Sequence, residues 1–347
     1  MELPKLKIQN KHLLITGFLC LCTLALALIS MYVGHYEMNF TVSLTEAVEF
    51  ILGKRSEIGT GANVLLNIRL PRTVSAIIIG AALSLSGITF QTVFRNRLAA
   101  PDLLGVSTGS CVGAAICILC GLSSIYIQLG AFFCGLITVG LTYGVSRFFK
   151  NENRFSLILS GVLMGGLMTS LLGLIKYLAN PETQLPAIIY WTMGDISKIS
   201  FDQLSLVIVP ILACMIVMWI ISWRLNFFSV SDETAISMGT NIKALQTICI
   251  VCGTLLTACA VSIAGTISWV GLAMPQVVRL FIGVNTKHTT RYSIFAGAIF
   301  LLITDIIGRT ISTAEIPMSV LTGIPGIAIF VLCIYLSNRN EVYGIKN

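Results

Sequence analysis

The sequence predicts an all-α integral membrane protein with about ten transmembrane helices, folded as a single polytopic domain over residues 1–347. Composition is the first indication: 56% of the residues are hydrophobic and only 11% are charged, whereas an average soluble domain has about 25% charged residues. The placement of the charges is the second. Stretches without Asp, Glu, Lys or Arg recur along the chain, and many have the length of about 20 residues that crosses a bilayer as a helix.

Each uncharged stretch predicts one or two crossings. Five stretches fit a single helix and lie at residues 13–34, 73–94, 155–175, 203–223 and 316–338. The stretches 103–146 and 244–278 are too long for one crossing. We expect each to fold back as a pair, 103–121 with 124–146 and 244–263 with 268–283. A tenth span covers 292–308, where Asp305 lies near the end and can reach the membrane interface.

Lysine and arginine predict the orientation. An even number of spans places both termini on one side, and most of the 22 basic residues fall in the loops of that side. The positive-inside rule assigns this side to the cytoplasm, so 35–70 is the longest external segment. The net charge of +7 is then explained by topology and by attraction to the headgroups of the lipid bilayer. No segment between spans is long enough for a nucleic-acid-binding domain, so we expect no nucleic-acid partner.

Few groups inside the predicted spans could carry catalysis or ion coupling. His12, His35 and His288 lie at or beyond span ends, which leaves no Ser-His pair for a membrane-embedded protease. Asp305 is the only acidic residue near a span interior, whereas a proton-coupled carrier uses mid-membrane carboxylates. The eleven cysteines fall mostly within spans and are interpreted as apolar packing residues, so no metal site is predicted. A membrane enzyme and an ion- or proton-coupled secondary transporter stay open as alternatives.

Three arginines run against the positive-inside trend. Arg69 and Arg72 precede the second span and Arg309 follows the ninth, so we expect all three on the outside. Arginines at helix ends can anchor a span by reaching lipid phosphates, or they can bind an acidic partner that docks from outside. Both interpretations are open at this level.

The cytoplasmic segment 225–241 predicts a short helix. Ser231 is a favourable N-cap residue, and Asp232 and Glu233 follow in the first turn, where the helix dipole favours negative charge. Gly239 fits the end of the helix. A capped helix within a loop indicates a docking element.

A series of motifs resembles the iron-siderophore and cobalamin permease family of ABC importers, which has the type II importer fold. These motifs occupy residues 69–72, 80–87, 91–96, 98–106, 191–194, 235–239, 265–275, 305–309 and 315–317, and together they cover nearly the whole chain beyond residue 60. The sequence departs from the family pattern at two positions. Arg97 stands where the family commonly has Pro, and Gln276 stands where it commonly has His.

The resemblance implies a transport subunit and not an enzyme. It implies no cofactor in this chain, because ATP and Mg²⁺ would be held by two separate cytoplasmic ATPase subunits. It also implies a second permease, either a copy or a paralogue, an extracytoplasmic substrate-binding protein, and location in the bacterial inner (plasma) membrane with both termini cytoplasmic. Ferric siderophore ranks first as cargo on family frequency, with haem, cobalamin and an oxyanion as the other candidates.

The same resemblance implies residue roles. Arg69, Arg72 and Arg309 would meet carboxylates of the binding protein. Contact with the ATPase would involve Asp232, Glu233, Ala235, Met238 and Gly239. Asn96 and Leu98 would form the inner gate, and Gly161 and Gly323 would line the translocation path on the fifth and tenth spans.

Overall fold

The computed structural model describes residues 3–34, 36, 39–54, 57–149, 154–311 and 315–342. The described part of the chain forms fourteen α-helices: α1 Leu3–Tyr32, α2 Phe40–Ile51, α3 Thr60–Val64, α4 Leu70–Val93, α5 Val106–Leu119, α6 Ser124–Ser146, α7 Arg154–Leu178, α8 Gln184–Met193, α9 Phe201–Ile221, α10 Asp232–Ser237, α11 Ile242–Ala264, α12 Val270–Ile282, α13 Thr286–Ile311 and α14 Met318–Val342. A π-helical turn, Leu65–Arg69, joins α3 to α4, and 3₁₀ turns lie at Pro101–Leu104 and Arg224–Ser229.

Eight of these helices are long and apolar enough to cross a membrane: α1, α4, α6, α7, α9, α11, α13 and α14. Two shorter apolar helices, α5 and α12, accompany them. Each of the ten spans expected from the sequence overlaps one of these ten helices. The all-α membrane fold class is therefore confirmed.

The crossing helices end at two faces. One face carries the start of α1 and the end of α14, and the other carries the end of α1 and the start of α4. We name them the inner and the outer face, after the orientation that the charges predict. The docking helix expected in segment 225–241 is α10, and it lies on the inner face between α9 and α11.

Helix α4 lies at the centre of the bundle, and 83% of its most apolar window is buried. Glycines let two neighbours approach its backbone. A Cβ atom added at Gly80 would overlap the backbone of Gly297 on α13, and one added at Gly87 would overlap the backbone of Gly271 on α12. Small residues are favoured at such crossings because helices in lipid associate by close packing.

Helices α5 and α12 begin inside the bundle. Gly271, at the start of α12, packs on Gly87, which lies about 25 Å along α4 from its outer end at 1.5 Å per residue. The turn before α5 is also deep, since the Leu103 carbonyl oxygen lies against Gly161 of α7 and Thr142 Oγ1 donates to the Leu104 carbonyl oxygen at 3.0 Å. Both short helices therefore follow chain segments that enter the bundle, as in the discontinuous helices of transporters.

Several helices leave most of their surface uncovered. Only 6% of the apolar window of α1 is buried, and 22% of the windows of α7 and α14. Exposed apolar side chains are acceptable against lipid tails or against another membrane helix. These helices supply the surfaces available to lipid or to a second subunit.

Candidate functional site

A buried charge cluster occupies the outer ends of α4 and α13. Asp305 has no exposed surface, and its Oδ1 accepts from Arg72 Nε at 2.8 Å while its Oδ2 lies 2.7 Å from Arg309 Nη2. Arg72 Nη1 also reaches Glu315 Oε1 at 2.7 Å. Arg72 and Arg309 are only 8% and 6% exposed. Low polarity around such groups strengthens their attraction, and it also makes an unpaired charge there costly.

The outer end of α1 is fixed by Arg69 and Arg309. Arg69 donates to the carbonyl oxygens of Met31 and Tyr32 at 2.9 and 2.6 Å, and Arg309 Nη1 donates to that of Ser30 at 3.0 Å. The last carbonyl groups of a helix have no partner within the helix, and cations stabilise this end of the helix dipole. The two arginines therefore hold a peripheral helix to the bundle.

The exposure of the three arginines differs from the sequence-based expectation. Arg69 is also nearly covered, at 4% exposed, so none of the three presents a free guanidinium on the outer surface. Their partners inside the chain are Asp305, Glu315 and the end of α1. A role in docking the binding protein stays a prediction.

Glu315 is the exposed member of the charge cluster. It lies between α13 and α14, and its side chain is 46% exposed. Partial burial opposes its ionisation, but hydrogen bonds from Ser197 and Arg72 together with the charge of Arg72 hold the pKa of Glu315 below its ordinary value. The carboxylate is therefore charged at neutral pH and faces the outer cavity.

The outer cavity has a volume of about 740 Å³ and opens beside α8. Aromatic side chains of Tyr190 and Trp191 line it together with the charged residues Asp195, Lys198 and Glu315. The mixture of both charge signs and aromatic surface suits a large ligand that carries several kinds of groups. None of the residues lining this cavity was singled out as a site residue from the sequence.

Helix α10 has the caps that the sequence predicts. Ser231 Oγ accepts from the Thr234 amide at 3.2 Å, and Gly239 has a φ of +81°. Ala235 is fully buried against the rest of the chain, whereas Ile236 and Met238 are 63% and 62% exposed. An open groove of about 540 Å³ is lined by Asp232, Ile236 and Gly239. Two large apolar side chains thus face outward on the inner face.

The predicted gate residues lie in a compact turn after α4, which we call the gate turn (residues 94–98). The Asn96 amide donates to the Gln91 carbonyl oxygen at 3.1 Å, and the Leu98 amide donates to Asn96 Oδ1 at 2.9 Å. Leu98 is 59% exposed.

The two departures from the family pattern are in contact beside the gate turn. Gln276 Nε2 donates to the Arg97 carbonyl oxygen at 3.2 Å, and to Gln91 Oε1 at 3.0 Å. Arg97 Nη1 in turn reaches Ser337 Oγ on α14 at 3.2 Å. The gate turn is thus tied to both α12 and α14.

The two predicted path glycines have different surroundings. Gly161 is buried against the Leu103 carbonyl oxygen, and a Cβ atom there would overlap it. Gly323 lies in open space, because an added Cβ atom would have no neighbour within 4 Å. Close helix packing explains glycine at residue 161, whereas Gly323 lies on an uncovered part of α14. Their place beside the translocation path stays a prediction.

The known proteins that are similar to this chain include several permeases of import and transport systems. The chain is 32% identical over 316 residues to the molybdate import system permease protein MolB of Haemophilus influenzae, covering 90% of this chain and 93% of the relative. It is 30% identical over 338 residues to the hemin transport system permease protein HmuU of Yersinia pestis, covering 95% and 97%. A solved structure of a metal-chelate type ABC transporter in an inward-facing conformation is similar with a TM-score of 0.83 and 31% identity, covering 92% of this chain and 98% of that one.

The family profile described as the FecCD transport family matches residues 22–336, which include the charge cluster, the gate turn and α10. The match extends over nearly all of the crossing helices. The chain therefore belongs to the FecCD transport family and is the membrane-spanning permease of an ABC importer.

Proposed function

We propose that this permease carries a metal chelate, with ferric siderophore as the first candidate and haem or cobalamin next. The observation that carries the proposal is the outer cavity. Its volume of about 740 Å³ lies in the range of about 300–1,000 Å³ that holds drug-sized ligands. A small oxyanion would leave most of it empty. The likeness to a metal-chelate type transporter supports the same class, whereas the molybdate relative supports an oxyanion as the second candidate.

We infer that energy comes from two separate cytoplasmic ATPase subunits, with ATP and Mg²⁺ bound there. The sequence has no Gly-x-x-x-x-Gly-Lys-Ser/Thr motif of the kind that cradles nucleotide phosphates. The short helix α10 supports this inference, because Ile236 and Met238 at its end are exposed and Ile236 lines an open groove, so both offer apolar contacts to a partner.

We propose two further partners, a second permease and an extracytoplasmic binding protein. The uncovered surfaces of α7 and α14 fit a pair of permeases with the path between them. The outer cavity beside α8 would then receive cargo from the binding protein at the outer face. The permease pair would lie in the bacterial inner membrane.

Uptake into proteoliposomes tests the proposal. They would contain this chain, its ATPase partner and the matching binding protein, with ferric siderophore, haem, cobalamin and molybdate each offered as cargo. We expect uptake of a metal chelate that requires both ATP and the binding protein. The control is an ATPase variant without its phosphate-binding lysine, which should abolish uptake.

Two results would contradict parts of the proposal. Uptake of molybdate alone would leave the importer intact but exclude a metal chelate as its cargo. Cargo movement by this chain alone, driven by an ion gradient, would replace the importer with a secondary transporter.

A further inference from the structure

Two arginine side chains on the inner face meet at one carboxylate. Asp232, the first residue of α10, accepts on the same Oδ1 from Arg95 Nη2 at 2.7 Å and from Arg154 Nη2 at 3.0 Å. The two arginines come from distant parts of the sequence. Arg95 belongs to the gate turn, and Arg154 is the first residue of α7.

Arg95 ties the gate turn to the start of α10. Its guanidinium also donates to the Val230 carbonyl oxygen, just before the N-cap Ser231. The residue has a φ of +51°, a conformation that costs free energy for a side chain other than glycine. Asn96, the next residue, donates its amide to the Gln91 carbonyl oxygen of α4 and accepts from the Leu98 amide, so hydrogen bonds connect Arg95 to Leu98 through this neighbour.

Arg154 makes the second connection. Its guanidinium lies 5.7 Å from the ring centre of Phe228, a distance at which a cation is attracted to an aromatic face. Phe228 itself is only 1% exposed. Arg154 is thus held between Asp232 and a buried aromatic ring, and the start of α7 follows the position of α10.

We propose that Asp232 is a positioning residue through which α10 moves the gate turn and α7 together. The proposal rests on the importer function, in which the ATPase displaces α10. Because one carboxylate binds both arginines, a displacement of α10 would move the gate turn and the start of α7 at the same time. The predicted inner gate and α7, a predicted path helix, would then respond together.

Stability alone does not explain this arrangement. The side chains of Arg95, Asp232 and Arg154 are 36%, 52% and 19% exposed, and ion pairs at such exposure contribute only about 0–1 kcal/mol to folding. Coupling between the ATPase contact and the inner gate requires a structural element whose position both of them affect. The shared carboxylate supplies that element.

Glu233 offers a matched control. It is the next residue of the same helix turn and carries the same charge, but it makes no ion pair with any described side chain. Asp232→Asn and Glu233→Gln therefore remove the same charge from neighbouring positions, and only the first removes the connection.

The test measures cargo transported per ATP hydrolysed in proteoliposomes of the complete importer. We expect D232N to hydrolyse ATP while its transport per ATP falls about fivefold or more, the lower limit of typical coupling between sites. Because Glu233 is itself expected to contact the ATPase, E233Q is the reference for losing an α10 charge and that contact, so transport per ATP in D232N should fall below that in E233Q, and Asp232→Glu should recover most of the difference. Equal transport per ATP in D232N and E233Q would overturn the proposal.

A double-mutant cycle decides the matter where D232N also assembles poorly. Arg95→Gln should reduce transport per ATP more in the E233Q background than in the D232N background, where only the contact of Arg95 with the Val230 carbonyl oxygen remains, because residues that act through one contact are non-additive. Equal effects of Arg95→Gln in both backgrounds would overturn the proposal. Absence of ATP-dependent uptake in the parent protein would instead contradict the importer function itself.

Discussion

Asp305 lies between two arginines with no surface exposed to solvent, so the three groups form a buried ion-pair cluster. Replacing it by Asn leaves Arg72 and Arg309 buried with too little negative charge near them. Breaking a buried ion pair from one side costs about 3–5 kcal/mol. We expect Asp305→Asn to lower the free energy of unfolding by this amount, measured by unfolding of the purified protein in mild detergent.

Glu315→Gln is the control at the exposed edge of the same cluster. The Glu315 side chain is 46% exposed, so the free energy of unfolding should fall by no more than about 1 kcal/mol. Equal losses of unfolding free energy in Asp305→Asn and Glu315→Gln would show that burial does not determine the cost of removing the carboxylate charge.

Charge reversal at Arg72 or Arg309 would disturb this cluster as well, so lost transport in those variants would not by itself demonstrate lost docking of the binding protein.

The crossing of α4 with α12 depends on the absence of a side chain at Gly87. A Cβ atom there would overlap the backbone of Gly271, and backbone cannot move aside as a flexible side chain can. Overpacking of this kind costs about 1–3 kcal/mol. We expect Gly87→Val to lower the thermal unfolding temperature and the yield of folded protein.

Gly140→Val is the matched control, because Gly140 lies within α6 and an added Cβ atom has no neighbour within 4 Å. Its unfolding temperature should stay near that of the parent protein. A comparable decrease in both variants would mean that valine acts through the helix itself and not through the crossing.

Elements that depend on local sequence could be predicted, and elements that depend on distant contacts could not. Uncharged length predicts where the crossing helices lie, and the cap residues Ser231 and Gly239 predict α10. The burial of Arg72 has no local signal, since its partner Asp305 is 233 residues away in the chain. The deep start of α12 was missed for the same reason, because the Gly87 contact that defines its depth comes from another helix.

At the scale of the molecule, the three outer arginines have structural roles that explain their place at the outer face. Arg72 and Arg309 are paired with carboxylates, and Arg69, which keeps its positive charge, caps the end of α1. Basic residues on the inner face include Arg95, Arg97, Arg147, Arg154, Arg224, Lys243, Arg279, Lys287 and Arg291. The positive-inside rule therefore favours the inner face as cytoplasmic.

Epitope accessibility tests this orientation. An epitope inserted after Gly53, in an exposed turn following α2, should bind antibody in intact cells stripped of any outer envelope. The same epitope at the C-terminus should bind only after the membrane is permeabilised. The reverse pattern would place α10 outside, where no ATP is supplied, and would contradict the orientation together with the ATPase contact proposed at Ile236 and Met238. Unchanged uptake by the tagged protein serves as the control for folding.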